Sequence, residues 1–518
     1  MRILTIISPY FYEKWILTEG AGKCYNKIKY VNNSMSSCQD IGAIRGTQMK
    51  KLKALLGALL ITTVFTVTAC SSSDKSSESS GTEDREGQTM VKEKKDQILD
   101  IARNDEDCPL TGELENKTVK WFATWDINPD DTGKKTPADL MLFQELYGGN
   151  IEFHDVDYGD RYDELSRLIS SDEGIDFFYA GDNDAIPRGA LRSMFVPADD
   201  YIDFDSPLWE DMKEANDSIM WNGKHYAAVA QTTGDAVAVL YNRKTIQEAG
   251  LDDPADLYAE GKWDWNAFER LLKEFVDWDN QRYGIDGWWF ENGLINTIGK
   301  PAVGIENGKL VSNLGDPAME RVQNWMFSLY QNGYVAIGGP GYGWEAKPNY
   351  IGEGKLLFYP VGLYELYYTP DVWKEKYGDD VFFVPMPKDP QADEYYIPIK
   401  MEAYSFVSGG HNPEGVAKYL DCYRYCLVND DIHDITGTMF KDDYGWTDEM
   451  VDMRNELTEL AEENPVIDVA NGVSDDCAEI LNNNLRQTTR GVPWNETYDA
   501  IASEVQNSID KINNGDID

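Results

Sequence analysis

Histidine is scarce: the chain has four in 518 residues, His154, His225, His411 and His433, all far apart. That scatter leaves no spacing for an imidazole metal centre. Cysteine is nearly as sparse, seven in all, too few for a disulfide framework at this length. Cys422 and Cys426 stand four apart within 416–427, which reads as a helix, so they share one of its sides. With no second pair and no adjacent histidine, they read as small core residues. Basic charge is also short, 47 Lys and Arg against 91 Asp and Glu, net −44. Residues 1–69 hold 9 basic and 3 acidic side chains, which leaves 38 and 88 for the remainder. Neutralising phosphates needs basic patches, so nucleic acid is excluded as a partner. The acidity reads as solubility outside the cell, with a cationic ligand or Ca²⁺ as the sharper alternative. The phosphate-loop, serine-hydrolase and zinc-protease signatures are all missing. The glycine-rich run 338–343 lacks dinucleotide spacing and a preceding strand, so it reads as a loop. Residues 126–131 begin like a calcium loop, but Asp131 and Pro137 fill its sixth and twelfth positions, which excludes an EF-hand. No metal, no cofactor and no catalytic residue is expected, and the chain reads as a non-enzyme.

What is present begins with an export signal. Met49-Lys50-Lys51-Leu52-Lys53 precedes the largely apolar stretch 54–69, which ends at Cys70. Such a stretch is short for a bilayer span, which needs about 20 residues. A basic start, an apolar middle and a small-residue end make a signal peptide. Val67-Thr68-Ala69-Cys70 resembles the lipobox of bacterial lipoprotein precursors. That resemblance implies that Cys70 is lipidated, palmitate included, and becomes the mature N-terminus. The serine-rich run 71–81 is a flexible tether. The expected order is an upstream extension over 1–48, the signal peptide over 49–69, and the lipidated cysteine with a flexible linker over 70–115. The expected location is the outer face of the cytoplasmic membrane, held by the lipid.

From residue 116 strands and helices alternate. The segment 119–123 reads as a buried strand, 137–147 as a helix, 150–156 as a strand, 162–169 as a helix and 175–179 as a strand. This β-α-β-α-β succession implies a parallel sheet, with ligands beyond the carboxyl ends of its strands. A second α/β unit follows: strand 236–241, a helix capped by Asp264 and another begun by Asp316-Pro317. Four more helices are expected near 414–427, 449–463, 475–485 and 497–513.

Six segments then fall in a familiar order: Gly223-Lys224-His225-Tyr226, Leu240-Tyr241-Asn242-Arg243-Lys244 with Glu248-Ala249-Gly250-Leu251, Lys262-Trp263-Asp264-Trp265, Gly352-Glu353-Gly354-Lys355, Pro385-Met386-Pro387 and Asn412-Pro413-Glu414. Together they resemble the family 1 bacterial extracellular solute-binding proteins. The resemblance implies a two-lobe α/β fold of the type II periplasmic-binding-protein kind, with a hinge and an inter-lobe ligand cleft. The expected lobes are 116–232 with 357–401, and 233–356 with 402–518. Crossings between them are expected near 229–235, 356–359 and 398–403. It also implies a monomeric receptor that binds a sugar or oligosaccharide and hands it to ABC-transporter permease subunits.

A sugar offers hydroxyls and an apolar C–H face, so its site needs carboxylates, amides and an aromatic platform. The candidates are Trp125, Asp126, Asp182, Asn183, Gln231, Trp288, Trp344, Glu345, Glu365 and Glu402. Most of the 15 Trp and 30 Tyr must be core or ordinary surface. Trp125 and Trp344 sit in Gly- and Asp-rich loops that offer little core. Two alternatives stay open: a cationic or peptide-like solute, and a secreted glycoside hydrolase working through paired carboxylates.

Overall fold

The computed structural model describes residues 3–8, 11–16, 83–129, 136–287 and 290–515. The expected signal peptide, Cys70 and Trp288 lie outside the described residues. Ile3–Ser8 and Phe11–Ile16 pair as an antiparallel hairpin. Residues 91–518 form a separate compact unit.

That unit is built on two main sheets, with two short strand pairs, Val303–Glu306 with Lys309–Ser312 and Ile397–Pro398 with Pro465–Val466, beside them. The strands of the two main sheets, in chain order, are β1 (Thr118–Ala123), β2 (Asn150–Asp155), β3 (Phe177–Tyr179), β4 (Phe195–Val196), β5 (Ala228–Thr233), β6 (Ala238–Asn242), β7 (Tyr283–Ile285), β8 (Leu356–Val361), β9 (Val381–Val384) and β10 (Lys400–Val407). The first sheet runs β2-β1-β3-β10-β4, with β5 also paired to β10. β1, β2 and β3 are parallel, as the alternating pattern predicts, while β10 runs antiparallel to β3, β4 and β5. The second sheet runs β9-β6-β8-β7.

Local chemistry starts the helices where the sequence places them. Asp264 accepts from the Ala267 N–H and Asp316 from the Ala318 N–H, each followed by an amphipathic helix, Trp265–Phe275 and Pro317–Gln331. The helices Ala138–Tyr147 and Pro413–Val428 cover one side of the first sheet. There Trp121 meets Phe177 at 4.5 Å and Phe177 meets Tyr419 at 5.8 Å, all buried. Each such side chain contributes about 1.5–3 kcal/mol by leaving water.

Two expectations need correction. The sheets sort the strands differently from the expected lobe boundaries. β9 and all but the first residue of β8 fall in 357–401 yet belong with β6 in the second sheet, whereas β10, which falls mostly in 402–518, is central to the first. The crossing expected at 356–359 is an interior strand, fully buried. Among the described residues the chain passes between sheets at β5 to β6, at β9 to β10, and between the helices Pro413–Val428 and Asp448–Glu463. The sequence misled because β8 and β9 are apolar throughout and carry no sign of which sheet they join.

The second correction concerns the linker. Glu83–Asn104 is a helix, and Ile98, Leu99, Ala102 and Leu114 are buried against the first lobe. The serine-rich composition ends at residue 81, and apolar spacing resumes at Ile98 within the helix. No helix among the described residues is long and apolar enough to cross a membrane.

Candidate functional site

β1 and β3 run parallel and end side by side. Trp125 follows the end of β1, and Asp182 follows the end of β3. β10 enters from the opposite direction, so its first residues, Lys400 and Glu402, arrive at the same end of the sheet. β5 finishes there too, with Gln231 opposite Glu402. The register between β10 and β5 slips between Glu402 and Ala403, a bulge of the kind that re-aims a side chain.

Aromatic rings run from this end into the core of the first lobe, where Tyr404 is buried. Trp125 meets Tyr179 at 4.6 Å, Tyr179 meets Tyr404 at 6.1 Å, and Tyr404 meets Tyr423 at 6.2 Å. The buried Trp121 steadies the first member, donating from Nε1 to the Trp125 carbonyl at 3.0 Å. Trp125 keeps 39% of its surface accessible. The Tyr423 hydroxyl donates to Gln231 Oε1 at 2.9 Å, and Lys400 pairs with Glu402 at 2.5 Å. The fold therefore brings Trp125, Asp182, Gln231 and Glu402 to one sheet end. Tyr179, Tyr423 and Lys400 join them without having been singled out. Tyr179 could have been found as the last residue of a predicted strand, but Tyr423 lies within a helix and gave no signal.

The charges there are coupled. Asp184 is buried and holds Arg161 and the Tyr162 hydroxyl, the latter at 2.7 Å. Burial, then the neighbouring Asp184 charge, pushes the Asp182 carboxyl up to about 6, against the pull of Arg161. Burial alone would depress the Lys400 ammonium, yet Glu402, Asp235 and Asp182 hold it above its usual range. Asp126 Oδ1 accepts from the backbone and side-chain nitrogens of Asn128, both at 2.9 Å, and so shapes its own loop. Asn183 adopts a left-handed φ of 57°, and its buried Oδ1 has no hydrogen-bond partner.

In the second lobe, β7 ends at a buried Asp286. Its carboxylate accepts from the Tyr342 hydroxyl at 2.6 Å, the Lys347 N–H at 2.8 Å and the Gly287 N–H at 2.8 Å. This fastens the loop that carries Trp344 and Glu345, both exposed; Trp344 keeps 67% of its surface. Glu365 is held within its own lobe by Lys376 and by the Tyr377 hydroxyl, the latter at 2.9 Å. Its neighbour Tyr364 carries the exposed ring.

The lobes meet closely at Gly472. A Cβ on Gly472 would lie 1.9 Å from the Ile186 carbonyl oxygen and 3.1 Å from that of Asn183. Arg188 reaches Asp475 beside it. A cavity of about 310 Å³ opens next to this contact, and another of about 730 Å³ lies by Arg243 and Asp256. None of the candidate residues lines either one. Among the described residues no group of His, Cys, Asp and Glu could hold a metal ion.

The sequence profile of the bacterial extracellular solute-binding proteins matches residues 142–412. A comparison with curated proteins found no match. Solved structures with the same fold include an ABC-transporter solute-binding protein from Thermotoga lettingae bound to α-D-tagatose. It is 13% identical with a TM-score of 0.55, and the match covers 76% of this chain and 100% of that one. A cyclic α-maltosyl-1,6-maltose binding protein from Arthrobacter globiformis is 11% identical with a TM-score of 0.55, covering 76% and 98%. A Mycobacterium tuberculosis protein in complex with glycerophosphocholine is 15% identical with a TM-score of 0.52, covering 77% and 99%. A profile match over more than half of the residues, on a two-lobe α/β frame, places this chain in a family: it belongs to the bacterial extracellular solute-binding proteins.

Proposed function

We propose that the chain is the receptor of an ABC importer and binds a carbohydrate, an oligosaccharide rather than a single sugar, between its lobes. The observation that carries this reading is the run of rings Trp125–Tyr179–Tyr404–Tyr423, bordered by Gln231, Glu402, Lys400 and Asp182. The partly accessible rings of Trp125, Tyr179 and Tyr423 supply the apolar platform, with Tyr404 buried among them, and the amide, carboxylates and ammonium supply donors and acceptors for hydroxyls. Trp344 and Tyr364 offer further exposed rings from the second lobe. Binding needs no bond making, and the reading is of a receptor without catalysis. The chain is held to the outer face of the membrane through a lipid on Cys70 and works as a monomer.

Thermal unfolding against a panel of oligosaccharides, monosaccharides, polyamines, peptides and glycerophosphodiesters tests the ligand. At 100 times its Kd a ligand stabilises by about 2.7 kcal/mol. A shift with one glycan class, the glycan being recovered intact, supports the proposal. A shift only with polyamines, peptides or the phosphodiester overturns the carbohydrate, and reducing ends released in proportion to protein overturn the receptor without catalysis. Lipidation is read separately, by intact mass of the membrane-extracted chain and its Cys70→Ala variant.

A further inference from the structure

Three cysteines gather in the core of the first lobe, on the side of its sheet covered by the helix Pro413–Val428. Cys422 and Cys426 are buried in its core, and Cys108 is half-buried against them; all three are free thiols. The segment carrying Cys108 is tied down on both sides to the helix Pro413–Val428. Ahead of it, Asp105 accepts from the Tyr425 hydroxyl at 2.7 Å. Behind it, the Thr111 carbonyl accepts from Lys418 Nζ at 3.0 Å. Cys108 stands midway, three residues from each anchor. On the helix, Cys422 lies four residues after Lys418 and three before Tyr425, so the three share one side. The two anchors bracket Cys108 over the turn that holds Cys422. Cys426 lies past Tyr425, outside the bracket.

We propose that Cys108 and Cys422 form a disulfide on oxidation, which staples the segment following the helix Glu83–Asn104 to the first lobe. The inference rests on the family's extracellular setting, where disulfides form and persist, and is independent of which solute is bound. The oxidant is a small disulfide or a disulfide-bearing oxidoreductase. Cys108, the more accessible thiol, loses its proton, and its sulfur attacks one sulfur of the oxidant, expelling the first oxidant thiolate. The deprotonated Cys422 sulfur then attacks Cys108 Sγ and expels the second. Two electrons pass to the oxidant, and the two cysteine protons finish on its two thiolates. Burial pushes the Cys422 thiol well up, which makes the second step the slow one. The closed loop runs from 108 to 422, so the bond restricts the unfolded chain strongly.

Tryptic mapping of the full chain decides between partners. Cleavage after Arg103, Lys117, Lys418 and Arg424 puts Cys108, Cys422 and Cys426 on three separate peptides. After incubation with oxidised glutathione and alkylation, the expected product is 104–117 joined to 419–424. A link from 104–117 to 425–441, or alkylation of all three thiols, overturns the proposal. The oxidised chain should also unfold several degrees above the reduced one. In Cys108→Ser, whose site is half-exposed and tolerates the change, that difference should vanish. Equal midpoints for the oxidised and reduced natural chain overturn the stapling role.

Discussion

At Asp182 two carboxylates and one guanidinium share a partly wetted corner. Its folded-state pKa, raised to about 6, stands above the unfolded value of about 3.9. The folded chain therefore holds this proton more tightly than the unfolded chain. Asp182 favours the fold most below about pH 4, and that contribution is lost as pH rises through about 6. Asp182→Asn should remove this slope, so the gap between variant and natural chain in denaturant midpoint widens from pH 4 to pH 7. The side chain keeps 34% of its surface in water, so screening trims the amplitude. A gap independent of pH would show that Asp184 and Arg161 absorb the charge. The ring at Trp125 makes a second residue-scale test. Trp125→Ala should weaken glycan affinity about tenfold or more, equivalent to about 1.4 kcal/mol, with little change in unliganded stability because the ring is 39% exposed. Titration calorimetry reads the first and thermal unfolding the second. The placement of Trp125 and Asp182 at the sheet end was legible because each follows a strand that apolar runs make visible. Tyr423 was not, because a tyrosine within an amphipathic helix looks like any core residue.

Elements join at Asn412, which the sequence shows only as the start of Asn-Pro-Glu. Its Oδ1 caps the helix Pro413–Val428 by accepting from the Gly415 N–H at 2.9 Å. Its amide nitrogen donates to the carbonyls of Asn116 and Thr118, at 2.7 and 2.9 Å. One side chain thus fixes the helix start and the entry of β1. Asn412→Ala should cost about 2–4 kcal/mol, from the lost cap and the orphaned carbonyls. Asn412→Asp keeps the cap but turns an acceptor oxygen toward both carbonyls beside Asp176, so it should recover none of the loss; chemical denaturation of both measures this. Capping explains why two helix starts were readable to the residue: Asp264 and Asp316 do in space what their sequence context implies. Strand partnership was not readable. β8 and β9 pair through backbone groups, and their uniformly buried side chains hold no record of which sheet accepts them. The bulge at Glu402 is equally silent, because register depends on β5, which lies far off in sequence.

Across the whole molecule, contact between the lobes depends on small size more than on charge. Arg188 and Asp475 join the two sides, but the Asp475 side chain is 78% exposed, and exposed pairs contribute little. Gly472, in contrast, leaves no room for a methyl group beside Ile186 and Asn183. Gly472→Ala should hold the lobes apart, with a larger radius of gyration in X-ray scattering and at least tenfold weaker ligand binding. Gly437→Ala, where nothing lies within 4 Å of the added carbon, should change neither. A Gly472→Ala chain with unchanged radius and affinity would assign closure to other contacts.

Two of the passages between the lobes leave the first sheet as neighbours, since Thr233 at the end of β5 pairs with Lys400 at the start of β10. Beside them, a Cβ on Gly234 would strike the Leu457 carbonyl oxygen at 2.4 Å, so the helix Asp448–Glu463 presses directly on the joint. Strands laced together by backbone hydrogen bonds resist sliding and twisting but still flex across their width. Mechanically, the joint works as a flat leaf spring backed by a rod, with one soft direction and the others stiff. Opening and closing then follow a single track, and every solute that fits must be gripped along that same path.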